Sequence, residues 1–402
     1  MTTVESRRGC PIVEGFDYSA ESTATAHMAM FDEMRERFPA FYSTFGRGYT
    51  VLTAVDLLRD AFQNPTVFSS TSNQVQNPDL SYRLVPVTID PPEHTTWRHL
   101  LTPYFAPAYI ERLEPTVRKR CVELVEGLAP AGRCDFVQDF AAEFPTTIFM
   151  GLMGLPLSDA RQFMAWEDAI LHRTTESDPD MSKMEQAMRD VIAYFGDLLE
   201  KRRTDPRDDL VSASLSWEID GQPVPKDALL DMCLLMFMAG LDTVTSQLGY
   251  SFLHLASHPA DRDRIARDPD VIPNAVEEFL RYYAIVTPVR KVVQEIDFHG
   301  FTLEPNDMVL LPLCAATRDP SEFANADQVD FDRTANRHIA FGAGPHRCVG
   351  SHLARRELRI AFEEWHKHIP NYELAPGTSP EDLPENCSGV MSFHTLPLVW
   401  DV

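Results

Sequence analysis

Between residues 109 and 240, apolar positions recur at helical spacing. Segments 110–128, 136–150, 159–173 and 181–203 each read as a helix. The charged run Thr204 to Asp209 and the stretch Ile219-Asp220-Gly221-Gln222 read as turns. From Pro225 to about Ser257 the pattern predicts one long helix, closed by His258-Pro259. A further helix spans 274–283. Upstream, 28–38 reads as a short helix stopped by Pro39, and 56–63 as another ended before Pro65. Between them, 41–52 reads as a hairpin around Gly46 and Gly48. Thr71 to Ser81 is a polar loop of the kind that lines sites. Asp90-Pro91-Pro92-Glu93-His94 opens a helix with His94, Trp97, Arg98 and Leu101 on one face. Beyond residue 290 the period shortens. Short strands are predicted at 291–293, 296–298, 302–303 and 308–311, and the tail 390–400 reads as a last hairpin. Residues 1–16 read as a loose arm. The fold class is mainly α with a minor β region, one domain over 1–402.

Composition narrows the function classes. The 402-residue chain carries a formal net charge of -24, against the basic footprint of a nucleic-acid binder. Its seven cysteines form no CxxC pair, which suits a reducing cytoplasm rather than a disulfide framework. Residues 1–30 hold no apolar h-region. The most apolar run, Leu229 to Leu241, is interrupted by Asp231 and too short to span a membrane. The expectation is a cytoplasmic protein without membrane or nucleic-acid partners.

Chemistry concentrates at Phe341-Gly342-Ala343-Gly344-Pro345-His346-Arg347-Cys348-Val349-Gly350. Three glycines let a loop wrap one atom with its N–H groups inward. Cys348 precedes a predicted helix, 351–359, whose dipole favours the thiolate. A thiolate among backbone donors suits a soft ligand to one metal ion; the plainer reading is a buried structural cysteine in a turn. On the long helix, Ala239-Gly240 removes side-chain bulk, Thr243 can back-bond to the carbonyl four residues earlier, and Asp242 is an acid in an apolar stretch. That combination reads either as proton delivery or as helix packing on small residues. Glu278 and Arg281 share one helix face. His94, Arg98 and Arg290 are available to clamp an anionic group.

In this order, these residues resemble the heme-thiolate monooxygenases, the cytochrome P-450 superfamily. The stretch Phe341-Gly342-x-Gly344-x-His346-x-Cys348-x-Gly350 fits that family's heme loop at six defined positions. Ala239-Gly240-x-Asp242-Thr243 and Glu278-x-x-Arg281 fit two further motifs. The resemblance implies heme b between the long central helix and the helix after the Cys loop. It implies Cys348 as the iron ligand and His94, Arg98, Arg290 and His346 as holders of the propionates. Asp242 and Thr243 would relay protons to bound dioxygen. Glu278 and Arg281 would be structural, tied to the segment before the loop through His338.

A narrower resemblance is to the bacterial camphor-hydroxylase group, carried by Met238 to Val244, Tyr82 to Glu93 and Leu396 to Asp401. It implies a substrate pocket of Tyr82, Leu84, Val87, Leu235, Met238, Ala239 and Val286. Tyr82 would donate to a ketone oxygen, or serve as an ordinary core tyrosine. Leu84, Val87 and Met238 depart from the camphor pattern, so the expected substrate is a monoterpenoid or norisoprenoid of altered shape. No flavin motif is present, so electrons are expected from a [2Fe–2S] ferredoxin served by an NADH-dependent reductase, docking near Arg98 and Arg347. Two rivals remain: a non-catalytic heme-thiolate binder of gas or ligand, and an enzyme using peroxide directly. Neither needs an acid–hydroxyl pair.

Overall fold

Helical periodicity in the sequence becomes a succession of packed α-helices in the computed structural model, which describes residues 5–20, 23–79, 82–172, 177–387 and 389–402. In chain order these are α1 (Ala24–Arg37), α2 (Val55–Gln63), α3 (Glu93–Phe105), α4 (Pro107–Leu128), α5 (Glu143–Met153), α6 (Ala160–Leu171) and α7 (Ser182–Thr204). They continue with α8 (Leu210–Ser214), α9 (Lys226–Gly240), α10 (Asp242–Ser257), α11 (Pro259–Arg267), α12 (Ile272–Tyr282), α13 (Leu313–Thr317) and α14 (Ser351–His368). Local chemistry explains their ends. Thr23 caps α1 by accepting from the Ala26 amide, satisfying one of its orphan N–H groups. Proline stands in the first turn of α4, α11 and α12, where no intrahelical donor is lost. On α12, Ala275, Val276, Phe279 and Leu280 recur at three- and four-residue spacing and are all buried.

Trp365 of α14 is the centre of the main core. It is fully buried and meets Phe136, Phe140 and Phe252 at ring-centroid distances of 4.9, 5.2 and 5.3 Å. Each such pair is worth about 0.5–1.5 kcal/mol beyond its buried area. These contacts fix α14 against α10, and α14 also packs along α4. A second core gathers α5, α6, α7 and α9; a third lies between the sheet, α2 and α13.

The main sheet has seven strands, in the order Ser6–Arg7, Cys10–Val13, Ala40–Ser43, Tyr49–Leu52, Met308–Leu310, Val289–Val292, Phe68–Ser69. Residues 6–13 are therefore strands at the sheet edge, not a loose arm. Cys10–Val13 runs parallel to Ala40–Ser43, with Ile12 opposite Tyr42. Arg7 and Arg8 tie the edge down, each 3.1 Å from the Asp307 carboxylate.

Three other expectations are corrected. The stretch 225–257 is two helices, broken at Leu241. Thr243 Oγ1 donates to the Ala239 carbonyl at 3.1 Å, and Thr245 Oγ1 to the Leu241 and Ala141 carbonyls at 3.1 and 2.9 Å. These hydroxyls take carbonyls the helix ladder would otherwise use. The stretch 136–150 opens with a π-turn, Val137–Ala141, before α5 begins. The tail is not a hairpin: Ser392–Phe393 pairs with Glu385–Asn386, while Pro397–Val399 bridges Arg133–Asp135 and Glu373–Leu374. Leu80, Ser81 and Arg173, at the ends of a predicted loop and helix, lie outside the described residues. The helix pair Lys226–Ser257 is long and apolar enough to cross a membrane, but most of it is buried inside the protein.

His27 on α1 is fully buried beside Phe31, with neither ring nitrogen hydrogen-bonded. Burial holds its pKa down to about 4, against 6.5 for an imidazole in water. The unfolded chain therefore takes up this proton first, and stability is lost as pH falls from about 6.5 toward 4. Replacing His27 with Leu is expected to remove roughly 2–3 kcal/mol of the acid-induced loss. Urea unfolding of both proteins at pH 7.5 and pH 4.5 measures that difference.

Candidate functional site

The three cores meet around a cavity of about 1310 Å³. Phe62, Val244, Leu235 and Leu353 are among its walls, so α2, α9, α10 and α14 all contribute. Cys348, just before α14, lines it. The glycine-rich loop is held by its own backbone: the Cys348 amide donates to the Phe341 carbonyl at 2.9 Å, and the Arg347 amide to Gly344 at 3.1 Å. Gly344 has φ of +66°, and a Cβ there would stand 2.2 Å from the Phe62 carbonyl oxygen. Only glycine fits this approach of the loop to the end of α2. The Cys348 thiol opens onto the cavity and is otherwise surrounded by protein. Burial pushes its pKa up; the Gly350 amide, Arg98, Arg347 and Arg355 pull the other way. The helix start alone does not make a thiolate here, so deprotonation falls to a bound cation, as in metal–thiolate sites generally.

Beside the cysteine stands an electrostatic imbalance. His94, Arg98, Arg290 and His346 all line the cavity. The two imidazoles lie 3.9 Å apart. Both nitrogens of His94 and Nε2 of His346 are buried without a hydrogen-bond partner. Arg290 is buried and gives one bond to its neighbour's carbonyl, Val289 O, at 2.8 Å; Arg98 gives one to Arg347 O at 2.7 Å. No carboxylate salt bridge to any of the four is found among the described residues. Burial, then neighbouring positive charge, holds His94 down to about 4 and His346 down to about 2. Burial also lowers Arg290 to about 10. Buried donors and cations with no partner are costly. They fit the acidic edge of a ligand bearing carboxylates.

The break at Leu241 also lies on the cavity wall, where Ala239, Gly240, Asp242 and Thr243 are lining residues. Ala239 and Thr243 both face the cavity. Gly240 faces a different neighbour: an added Cβ would lie 3.2 Å from the Phe149 ring. Asp242 is 5% exposed and does not bond to Thr243. Its Oδ1 instead pairs with His172 Nε2 at 2.9 Å and accepts from Ser246 Oγ at 3.3 Å. Burial disfavours the charged form of His172, but the Asp242 hydrogen bond and nearby carboxylates outweigh it and raise its pKa. Glu167, buried on the same side, is raised to about 8 by burial and by Asp242.

Tyr82, Val87, Leu235, Met238 and Val286 also line the cavity. The Tyr82 hydroxyl has no hydrogen-bond partner among the described residues, and burial raises its pKa. Leu84 is a correction: it packs in the core with Trp97 and Leu101 and is not a lining residue. The turn Leu84 to Thr88 closes on itself, with the Leu84 amide donating to Thr88 Oγ1 at 2.8 Å, which turns Leu84 inward and Val87 outward. Sequence reasoning missed His172, His394 and Glu357, all of which line the cavity. Isolated residues far apart in sequence carry no spacing signal. For Glu357 there was one clue, an acid within a helix face that otherwise reads as core.

Glu278 and Arg281 form a fully buried ion pair, with Arg281 Nη2 at 2.7 Å from Glu278 Oε1. Arg281 also donates to the carbonyls of Thr317, Ala326 and Gln328. Glu278 accepts from Arg333 and Asn336 in the segment before the Cys loop. His338 does not join it; that residue pairs with Glu277 at 3.0 Å, alongside Arg355. Burial alone would raise Glu277, but these two partners hold it down to about 2.

The cytochrome P450 family model matches residues 19–399. This chain belongs to the cytochrome P450 family. Its cofactor is heme b, and its activity is that of a monooxygenase. The chain is 32% identical to "Probable cytochrome P450 127A1" of Sinorhizobium fredii over 348 residues, covering 85% of this chain and 83% of that one. It is 32% identical to the vitamin D(3) 25-hydroxylase of Pseudonocardia autotrophica over 335 residues, covering 81% and 82%. The crystal structure of cytochrome P450 CYP101C1 superposes with a TM-score of 0.88 at 31% identity, covering 99% of this P450 and all of that chain.

The buried network around Glu278 holds α12 to the segment that leads into the Cys loop. Arg281→Met removes one of the two guanidinium partners of the buried Glu278 and the donor of the Thr317, Ala326 and Gln328 carbonyls, and is expected to destabilise the protein by about 3–5 kcal/mol. Urea unfolding is the check; a loss below about 1 kcal/mol would show the pair to be dispensable.

Proposed function

We propose that this P450 hydroxylates an unactivated C–H bond of a small apolar substrate, a monoterpenoid or norisoprenoid. The observation that carries this reading is the placement of Cys348 and of the Ala239/Thr243 break on walls of one apolar cavity. Heme, when bound, supplies dioxygen activation, with a cysteine thiolate favouring O–O cleavage. Cys348 is its iron ligand. His94, Arg98, Arg290 and His346 bind the propionates, relieving the donors that otherwise stand unpaired. Each charge-assisted bond of this kind contributes about 1.5–3 kcal/mol. Arg290→Leu is therefore expected to speed transfer of heme to excess apomyoglobin by tenfold or more, followed by absorbance; an unchanged rate would remove Arg290 from the set.

The remaining roles follow from positions. Leu235, Met238, Ala239 and Val286 make an apolar wall, and Val87 stands at the rim. Tyr82, with a free hydroxyl, offers one hydrogen bond to a substrate oxygen. That suits a compact hydrocarbon skeleton with a single polar handle. Asp242 and Thr243 form the proton relay, with Thr243 Oγ1 as its last group before the cavity. Asp242 reaches that role by exchanging its His172 bond for one toward Thr243. Electrons come from a [2Fe–2S] ferredoxin with an NADH-dependent reductase, in the cytoplasm. The exposed Arg347 offers the docking charge; Arg98 is turned into the cavity instead.

Thr243→Ala is expected to keep NADH consumption within about threefold while product per NADH falls severalfold, since a lost proton-transfer group costs roughly 10²–10⁴ at most. Coupled oxygen, NADH and product measurements with a ferredoxin and its reductase read both. Coupling equal to wild type would rule out the relay. A screen of terpenoids and larger lipids for the heme spin-state shift tests the substrate class. A shift with steroids or long-chain lipids and none with C10–C13 terpenoids would overturn it.

A further inference from the structure

One cluster at the cavity wall is not accounted for by heme or substrate. Asp168 and His172 sit at i and i+4 on one face at the end of α6, and His394 reaches them from the loop before Pro397–Val399. One ligand atom from each lies within 4.8 Å of the other two. His172 Nδ1 is 3.5 Å from Asp168 Oδ1, too long for a good hydrogen bond. The two imidazole rings stand 4.7 Å apart and nearly perpendicular.

A second observation points the same way. His172 directs its other nitrogen, Nε2, to Asp242 at 2.9 Å. A metal-ligating imidazole characteristically gives its remote N–H to a carboxylate, which fixes the tautomer and strengthens the donor. Here that carboxylate is in place before any ion. Two histidines and one carboxylate with an open fourth position is a zinc-type donor set. Tetrahedral zinc holds such donors about 3.3 Å apart, within side-chain rotation of the observed spacing.

We propose that Asp168, His172 and His394 form a binding site for a divalent transition-metal cation of the zinc class, outside the heme centre. Its occupancy locks the Nε2–H of His172 onto Asp242 and keeps that carboxyl from turning toward Thr243. The cation is then an inhibitor of turnover, a consequence that rests on the relay role proposed for Asp242.

The test is a calorimetric titration of ZnCl₂ into the heme-loaded protein at pH 7.5. With heme bound, Cys348 is engaged, and the other six cysteines are buried, so thiols do not compete. One saturable site of micromolar affinity is expected. It should weaken tenfold or more in both Asp168→Ala and His394→Gln. Asp168 is 74% exposed at its side chain, so its variant is expected to fold normally. No saturable heat, or wild-type affinity in both variants, overturns the site. In turnover, zinc is expected to slow the wild type severalfold and to leave Asp168→Ala unaffected. Zinc that binds at the site without slowing turnover overturns the coupling to Asp242. Asp242→Asn, assayed without zinc, tests the relay separately: full product yield there defeats the relay reading and leaves the metal titration standing.

Discussion

Four basic side chains facing one cavity, with no carboxylate in salt-bridge contact among the described residues, impose the constraint on which this structure turns. Placing His94, Arg98, Arg290 and His346 together out of water is unfavourable. Protonation is suppressed at both histidines for that reason. The fold tolerates the arrangement because three cores hold it rigidly from outside: α14 by Trp365, the sheet by its seven strands, and α9 by the apolar helices around it. A cofactor with two carboxylates completes the electrostatics. On this view heme binding closes the fold as much as it equips the enzyme.

The helix break on the cavity wall is a second consequence of local chemistry with a functional result. Hydroxyls at Thr243 and Thr245 divert carbonyls from the helix ladder. The chain loses regular helix at Leu241 and presents Ala239 and Thr243 to the cavity. Asp242, also on the cavity wall, is meanwhile bonded to His172 and Ser246, with Glu167 buried nearby. The acid and the hydroxyl are thus adjacent in sequence but separated in hydrogen bonding. On the relay proposed for them, proton delivery requires a switch of partners, which makes the His172–Asp242 pair part of its control.

Much of this was legible in the residues alone, for definable reasons. Helical period and proline stops located α1, α2, α4, α6 and α7 within a few residues, because each such helix buries one face. The Cys loop was legible because close backbone packing restricts its residues, as Gly344 against Phe62 shows. Pairings distant in sequence were not. Pro397–Val399 finds one partner more than 250 residues away in Arg133–Asp135, and no alternation pattern encodes that. The break at Leu241 was hidden because the apolar run continues through it, and only carbonyl competition ends the helix. Leu84 was expected beside Val87 in the pocket, and one tight turn sends it into the core instead. His172 and His394 were invisible because their partners come from other elements.

The account stands on Cys348 being the atom that fixes heme in this cavity. The most direct measurement is the absorption spectrum of the reduced carbon monoxide complex of the wild type and of Cys348→Ala. The account predicts the red-shifted Soret band of a thiolate-ligated complex in the wild type and its loss in the variant. A variant that binds heme and keeps that band would contradict it.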